Sequence, residues 1–243
     1  MQPLELGFVG TGNAFAPEGL CWNGFVAGGR YLFEAPPSGL MALNRLGVDP
    51  NALEAVILSH HHGDHFLGLP SLLLHWKYQG RERPITIVGP PRTMHLAQTI
   101  GEAVYPGLFE GNYEIQWHEA EPGKSLQVGE LLIEPVEVEH DSRLSLNLGY
   151  QCELRGRRFA YTGDTAMCDA VLDLARASEV LVSECASRDA HIPIHMNLVD
   201  DIPKVREAMK GDATLILTHL TPDVDDNGFA NTIVASDLET YRF

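Results

Sequence analysis

Six residues constrain this chain more than any others. The run His60-His61-His62-Gly63-Asp64-His65 gathers four of its eleven histidines and a carboxylate into one short stretch. It leaves the apolar Ile57-Leu58 and enters a loop that opens a helix. In extended backbone, side chains two apart point the same way, so His60 and His62 can converge on one ion. Asp64 and His65, a turn further on, can hold a second ion nearby. Imidazole nitrogen with carboxylate oxygen is the donor set that zinc and similar divalent metals prefer. The bland alternative, a solvated polar loop, gives no reason to stack four imidazoles behind a buried strand. His61 points away from its neighbours in this geometry and is not expected to ligate.

Such a site needs more ligands, and the ends of other strands are where to look. His140 follows Val136-Glu137-Val138-Glu139, Asp164 lies in Tyr161-Thr162-Gly163-Asp164-Thr165, and His219 follows Leu215-Ile216-Leu217-Thr218. Each closes a β-rich run, so one rim of a sheet structure could gather all three. Taken singly each is a weak signal, because a lone histidine after a strand is more often an ordinary surface or core residue.

The remaining pattern is compatible with such a rim. Strand-like runs cover 4–9, 24–27, 31–34, 55–59, 85–88, 113–117, 131–138, 149–154, 158–161, 180–183, 214–218 and 232–235. Leu69, Leu72, Leu73 and Trp76 have the spacing of one helix face over 69–77. Further helices are expected over 92–104, with Pro91 where it begins, and over 168–177. Another is expected from Asp200 or Asp201 to Lys210, with Gly211 as its stop. Two β-rich halves, each followed by helices, predict two sheets packed face to face with helices outside, in one domain spanning 1–243.

Composition limits the function classes. The 33 acidic residues outnumber the 17 basic ones, giving a net charge of −16. That balance argues against a dedicated nucleic-acid binder, whose affinity comes from Lys and Arg. The apolar runs are far shorter than the roughly 20 residues of a membrane-spanning helix. The opening Met1-Gln2-Pro3-Leu4-Glu5 has no basic or apolar signal region. Cys21, Cys152, Cys168 and Cys185 form no CxxC pair, so a reducing cytoplasm is the expected compartment. Gly10-Thr11-Gly12 is no dinucleotide loop, since Phe15 stands at the third glycine position. Arg155-Gly156-Arg157-Arg158 is expected to be a solvated hairpin turn.

In order, His60-x-His62-x-Asp64-His65, His140, Gly163-Asp164-Thr165 and Thr218-His219 resemble the motifs of the metallo-β-lactamase fold superfamily. Phe66-Leu67-Gly68-Leu69-Pro70, Ile85-Thr86-Ile87-Val88-Gly89-Pro90, Leu181-Val182-Ser183-Glu184-Cys185-Ala186, His195-Met196-Asn197 and Gly10-Thr11-Gly12-Asn13-Ala14 are similar to its ribonuclease Z-like phosphodiesterase branch. The resemblance implies an α/β (α+β) fold, the four-layer αβ/βα metallo-β-lactamase sandwich, with two divalent metal ions at one edge. Zinc is the expected metal, with manganese or iron as alternatives. His60, His62 and His140 would hold one ion, and Asp64, His65 and His219 the other, with Asp164 bridging. Two ions about 3.5–4 Å apart lower the pKa of a shared water and clamp the attacking and leaving oxygens. Asp64, His195 and Glu184 carry over as the catalytic residues. In that set His195 stabilises the pentacoordinate phosphorus or protonates the leaving oxygen, and Glu184 orients it; His191 is a weaker candidate for the same role.

The expected substrate is a small-molecule or short-nucleotide phosphodiester, attacked by a metal-bridging hydroxide. A lactone, thioester, β-lactam or sulfate ester is the alternative on the same site, and a non-catalytic or redox metal-binding module is a more remote one. No membrane partner is expected, and a homodimer is compatible with this reading. Three departures from the branch matter. Glu34 stands where an aspartate is usual, and Met196-Asn197 follows His195 where tRNA-processing members have a small hydroxyl residue. Only the 23 residues 141–163 separate His140 from Asp164, which leaves no room for a tRNA-docking arm.

Overall fold

The computed structural model describes residues 3–243, and the order of its elements follows the hydrophobic pattern closely. The first half holds β1 (Glu5–Gly10), β2 (Gly24–Ala27), β3 (Tyr31–Phe33), α1 (Gly39–Arg45), β4 (Ala55–Ile57), α2 (Gly63–Phe66), α3 (Leu69–Tyr78), β5 (Ile85–Gly89), α4 (Thr93–Val104) and β6 (Ile115–Glu119). The second half holds β7 (Leu126–Val128), β8 (Leu131–Glu137), β9 (Leu148–Leu154), β10 (Arg157–Tyr161), α5 (Asp169–Ala177), β11 (Val180–Glu184), α6 (Ile202–Ala208), β12 (Thr214–Thr218), β13 (Thr232–Val234) and β14 (Thr240–Arg242).

These strands form two seven-stranded sheets, ordered β14-β1-β2-β3-β4-β5-β6 and β13-β12-β11-β10-β9-β8-β7. Both are mixed. The strands β3 to β6 run parallel, as do β10 to β13, while the remaining pairs are antiparallel.

Period-two alternation explains the layering, because successive side chains of a strand face opposite sides. Tyr31 and Phe33 enter the core between the sheets, whereas Leu32 enters the core beneath the helices of the first half. Likewise Ile216 faces the inter-sheet core, while Leu215 and Leu217 face α5 and α6. Strands covered on both faces read as continuous apolar runs, which is why β4 and β5 are buried throughout. The result is a helix–sheet–sheet–helix sandwich, as the sequence predicts.

Aromatic rings fill the central layer. Phe25 and Phe33 stack at 4.6 Å, and Tyr161 meets both edge-on at 5.3 and 6.1 Å. Tyr150 donates its hydroxyl to the carbonyl of Leu58 at 2.7 Å, bonding the second sheet to the segment that leads into His60.

Element edges differ from the sequence reading where tertiary contacts override pattern. The strand expected over 113–117 begins at Ile115, because Tyr113 instead packs on Trp76 and donates to the carbonyl of Leu73. The last helix ends at Ala208 and not at Lys210. Asp201 precedes it without capping its amides; its carboxylate accepts from the Asn197 amide and from Lys204. The short elements α1, α2, β7 and β14 carry too few patterned residues to be read from sequence. Of the turn expected over 155–158, Arg155 (φ 54°) and Gly156 (φ 80°) make the tight turn between β9 and β10, whereas Arg157 and Arg158 open β10 and pair with Glu179. No helix among the described residues is long and apolar enough to cross a membrane.

Phe33 is fully buried at the centre of the aromatic cluster. Phe33→Ala should therefore lower unfolding free energy by about 3–5 kcal/mol, the usual result of emptying a large aromatic site. Urea unfolding monitored by circular dichroism measures this; a change below about 1 kcal/mol would show that the sheets can close over the gap.

Candidate metal centre

The histidine run sits at the carboxyl end of β4, where strand turns into helix. Ser59 is held on both sides, its amide donating to Glu34 Oε2 at 3.2 Å and its carbonyl accepting from the Leu148 amide at 3.0 Å. His62 keeps an extended conformation immediately before α2, which then carries Asp64 and His65. His140 follows β8, Asp164 follows β10, and His219 follows β12. Two of these junctions need unusual backbone. Gly163 has φ 61°, and a Cβ there would lie 2.4 Å from the Leu148 carbonyl oxygen. His219 has φ 59°, an uncommon value for a residue with a side chain.

The sequence-predicted residues meet in two groups that share a carboxylate. His60 Nε2 and His140 Nε2 lie 3.0 and 3.1 Å from His62 Nδ1. Beside them, Asp64 Oδ2 lies 3.1 Å from His65 Nε2 and 3.5 Å from His219 Nε2. Asp164 Oδ2 is 3.3 and 3.1 Å from those two nitrogens, and 3.8 and 4.0 Å from the Nε2 atoms of His60 and His140. One carboxylate oxygen thus reaches both groups.

The outward contacts leave unshared lone pairs turned inward, as cation binding would require. His140 Nδ1 must donate to the Ile194 carbonyl at 2.9 Å, since that oxygen can only accept. His62 Nε2 donates to Asp141 Oδ2 at 3.2 Å for the same reason. In the neutral rings this leaves lone pairs on His140 Nε2 and His62 Nδ1, facing each other at 3.1 Å. Two lone pairs at that distance repel unless a positive ion lies between them. In the second group, buried Asp64 Oδ2, Asp164 Oδ1, His65 Nε2 and His219 Nε2 have no hydrogen-bond partner. Buried polar atoms are normally satisfied, so a convergent set of orphans fits metal ligation. Both groups fit divalent ions.

Electrostatics agrees. Burial, reinforced by neighbouring imidazoles, holds the His60 pKa well below its usual value, leaving a neutral donor. Burial opposes charge on His65 as well, but Asp164, Glu34 and Asp64 outweigh it and hold that pKa well above the usual value. Asp164 is held well below the carboxylate range against its burial, chiefly by His219 and His65. The second group is thus a strongly negative pocket that attracts cations, protons included.

His195 lies outside these two groups but within ligand reach of both, its ring nitrogens close to those of His140 and His219 and to Asp164. Its Nδ1 is 2.9 Å from Glu184 Oε1, and its ring stacks on His219 at 5.2 Å and meets His140 edge-on at 4.9 Å. Burial pulls its pKa down, but the Glu184 carboxylate wins and raises it to about 9. Burial also pushes the Glu184 carboxyl up, against the pull of the His195 ring that it faces. Glu184 is itself fixed by the Thr165 amide at 2.6 Å. His191 is exposed and belongs to no ligand group among the described residues. His61 turns away to Thr93, as expected.

Two contacts extend the sequence reading. Glu34 keeps a contact in spite of its extra methylene, lying 3.4 Å from His65 Nδ1 with a left-handed backbone (φ 66°). Asp141 was not picked out from sequence, yet it orients His62 and is gripped by Arg143 at 2.8 and 2.6 Å. Its one sequence signal is an acidic residue directly after His140. Residues 141–163 are consumed by a short loop, β9, the tight turn and β10, and no arm projects from them.

Since Asp164 reaches both groups, Asp164→Ala should retain fewer divalent ions than the wild type, which should hold about two per chain. Elemental analysis of protein purified without chelator measures both. Equal metal content in the two proteins would remove Asp164 from the centre.

Comparison with known proteins agrees with this architecture. The ribonuclease Z of Methanosarcina mazei is 25% identical over 301 aligned positions, covering 97% of this chain and 96% of that protein. Among solved structures, the metallo-β-lactamase fold protein YhfI from Bacillus subtilis superposes with a TM-score of 0.81 at 20% identity, over 100% of both chains. The short form of human tRNase Z superposes with a TM-score of 0.81 at 19% identity, over 98% of each chain. The model of the beta-lactamase superfamily domain matches residues 30–220, a stretch that contains every residue of the two ligand groups, and the chain belongs to that family.

Proposed function

We propose that this protein is a binuclear metal-dependent phosphodiesterase acting on a small molecule or short nucleotide. The observation that carries this reading is the pair of ligand groups joined through Asp164 Oδ2. Two divalent ions there, most naturally zinc given five imidazoles and two carboxylates, would supply an activated water and polarise the phosphoryl oxygens. Likeness to proteins named ribonuclease Z favours phosphorus over carbonyl or sulfur as the centre attacked. The four cysteines are free, which suits a reducing cytoplasm.

The chain's own groups divide the remaining work. Asp64 and Asp164 hold negative charge at the centre and keep its two halves in register. Glu184 fixes the His195 ring through Nδ1, so Nε2 is the nitrogen left to face substrate. The Glu184 carboxylate behind Nδ1 favours positive charge on the ring, so a second proton on Nε2 can neutralise charge on phosphorus or pass to the departing oxygen while the Nδ1 proton stays hydrogen-bonded to Glu184. Its side chain is 15% exposed, so a substrate can reach it without rearrangement of the core.

His195→Ala should keep its metal and lose roughly 10²–10⁴-fold in kcat, the range for removal of a general acid. The loss should be smaller for a p-nitrophenyl diester than for an alkyl diester, since p-nitrophenolate leaves without help. Loss of metal in this variant would make His195 a ligand instead. Turnover of a lactone or thioester in place of any diester would move the assignment to the other ester classes.

Precursor tRNA is expected to be a poor substrate. The interval 141–163 offers no remote grip with which binding energy could position a large RNA. The 301 aligned positions exceed the chain's 243 residues, so the archaeal ribonuclease Z carries segments that this chain lacks. The net charge of −16 also repels a polyanion at long range, and two divalent ions leave it strongly negative. Comparing kcat/KM on a precursor tRNA and on bis(p-nitrophenyl) phosphate tests this, with the diester expected to win at physiological salt. Efficient tRNA cleavage under those conditions would overturn the small-substrate assignment.

A further inference from the structure

His219 needs more than its own strand to reach the centre. A left-handed backbone at a non-glycine residue is unfavourable and persists only where the surroundings over-determine it. Both of its neighbours are clamped to one loop, residues 11–23. Leu220 donates its amide to the Thr11 carbonyl at 2.7 Å and accepts from the Asn13 amide at 3.2 Å. On the other side, Thr218 Oγ1 donates to Asn23 Oδ1 at 2.6 Å.

That loop is in turn closed by one carboxylate far away in sequence. Asp237 Oδ1 accepts from the Thr11 amide at 2.9 Å and from Thr11 Oγ1 at 2.7 Å. Asp237 Oδ2 accepts from the Cys21 amide at 2.6 Å. Thr11 and Cys21 are also joined directly, since the Thr11 amide reaches the Cys21 carbonyl at 3.0 Å. The carboxylate therefore ties together the two ends of the loop that holds the backbone on either side of His219. Its own position is set by the residues that follow it: Leu238 donates to the Phe8 carbonyl, and the Phe8 amide donates to Glu239. Asp237 belongs to neither ligand group.

We propose that Asp237 is a positioning residue for the metal centre. Acting through Thr11 and Leu220, it fixes His219 in the conformation that aims its ring at Asp64 and Asp164. This rests on the two-ion reading above. The C-terminal segment thereby becomes part of the centre's construction, although none of its side chains enters it.

The test is stepwise cobalt(II) titration of metal-free protein, followed by absorption, for the wild type, Asp237→Ala, Thr11→Val and His219→Ala. The wild type should bind two ions. Asp237→Ala should bind the first normally and the second roughly 10–100-fold more weakly, as expected when a group that orients a ligand is lost. The weakened ion should be the one lost in His219→Ala. Thr11→Val removes only the hydroxyl donor while keeping the shape, and should weaken the same ion less; it also serves if Asp237→Ala does not fold. Amide hydrogen exchange at Leu220 in the metal-free protein should be faster in both Asp237→Ala and Thr11→Val. Two ions bound at wild-type affinity in these two variants, or equal weakening of both ions, would overturn the role of Asp237. A wild type that binds fewer than two ions would overturn the two-ion reading itself.

Discussion

The most demanding constraint on this fold is the burial, at one rim, of nitrogen and oxygen atoms that have no hydrogen-bond partner in the protein. Orphaned polar atoms are normally rare inside proteins, because each forgoes hydrogen bonding to water. Here several converge in one place, among His65, His219, Asp64 and Asp164. Such a cluster repels itself, and several of its candidate ligands are held from behind by contacts outside the cluster. Ile194 holds His140, Asp141 holds His62, Ser59 holds His60 and Glu34 holds His65. The rigidity of the sandwich has a purpose in this light: it keeps unfavourable neighbours together until cations make them favourable.

The architecture explains why the cluster lies at an edge. The parallel strands of both sheets end toward the same rim, so β4, β10 and β12 deliver their following residues to one place. A strand end is also where backbone can depart from regular geometry. Glu34, Gly163 and His219 all have φ near 60°, and all three adjoin or belong to the centre. Local strain is gathered at the site and stabilised by the aromatic layer beneath it.

Much of this was legible in the sequence, for identifiable reasons. The two sheets and most strands follow from alternation and from apolar runs bounded by Gly, Pro and Asn, because burial on both faces leaves little freedom of composition. The candidate ligands stood out because four imidazoles crowd residues 60–65 and the others follow strands, while their division between two ions came from the family resemblance. What escaped depends on long-range contacts. Asp141 is one acidic residue among 33, and only its place beside His62 distinguishes it. Asp237 meets Thr11 across 226 positions of sequence, a distance at which periodicity says nothing. The strand β14 is polar and mostly exposed, and it exists because β1 offers it an edge.

The two halves of the centre also differ in how they meet the solvent. The His62 side chain is 33% exposed, whereas His65 and His219 are at most 1% exposed. His60 and His140 are as buried as the second group, so among the histidine ligand candidates solvent meets the centre mainly through His62. On the two-ion reading proposed above, an ion held in part by His62 would meet chelators and competing cations ahead of one held by Asp64, His65 and His219.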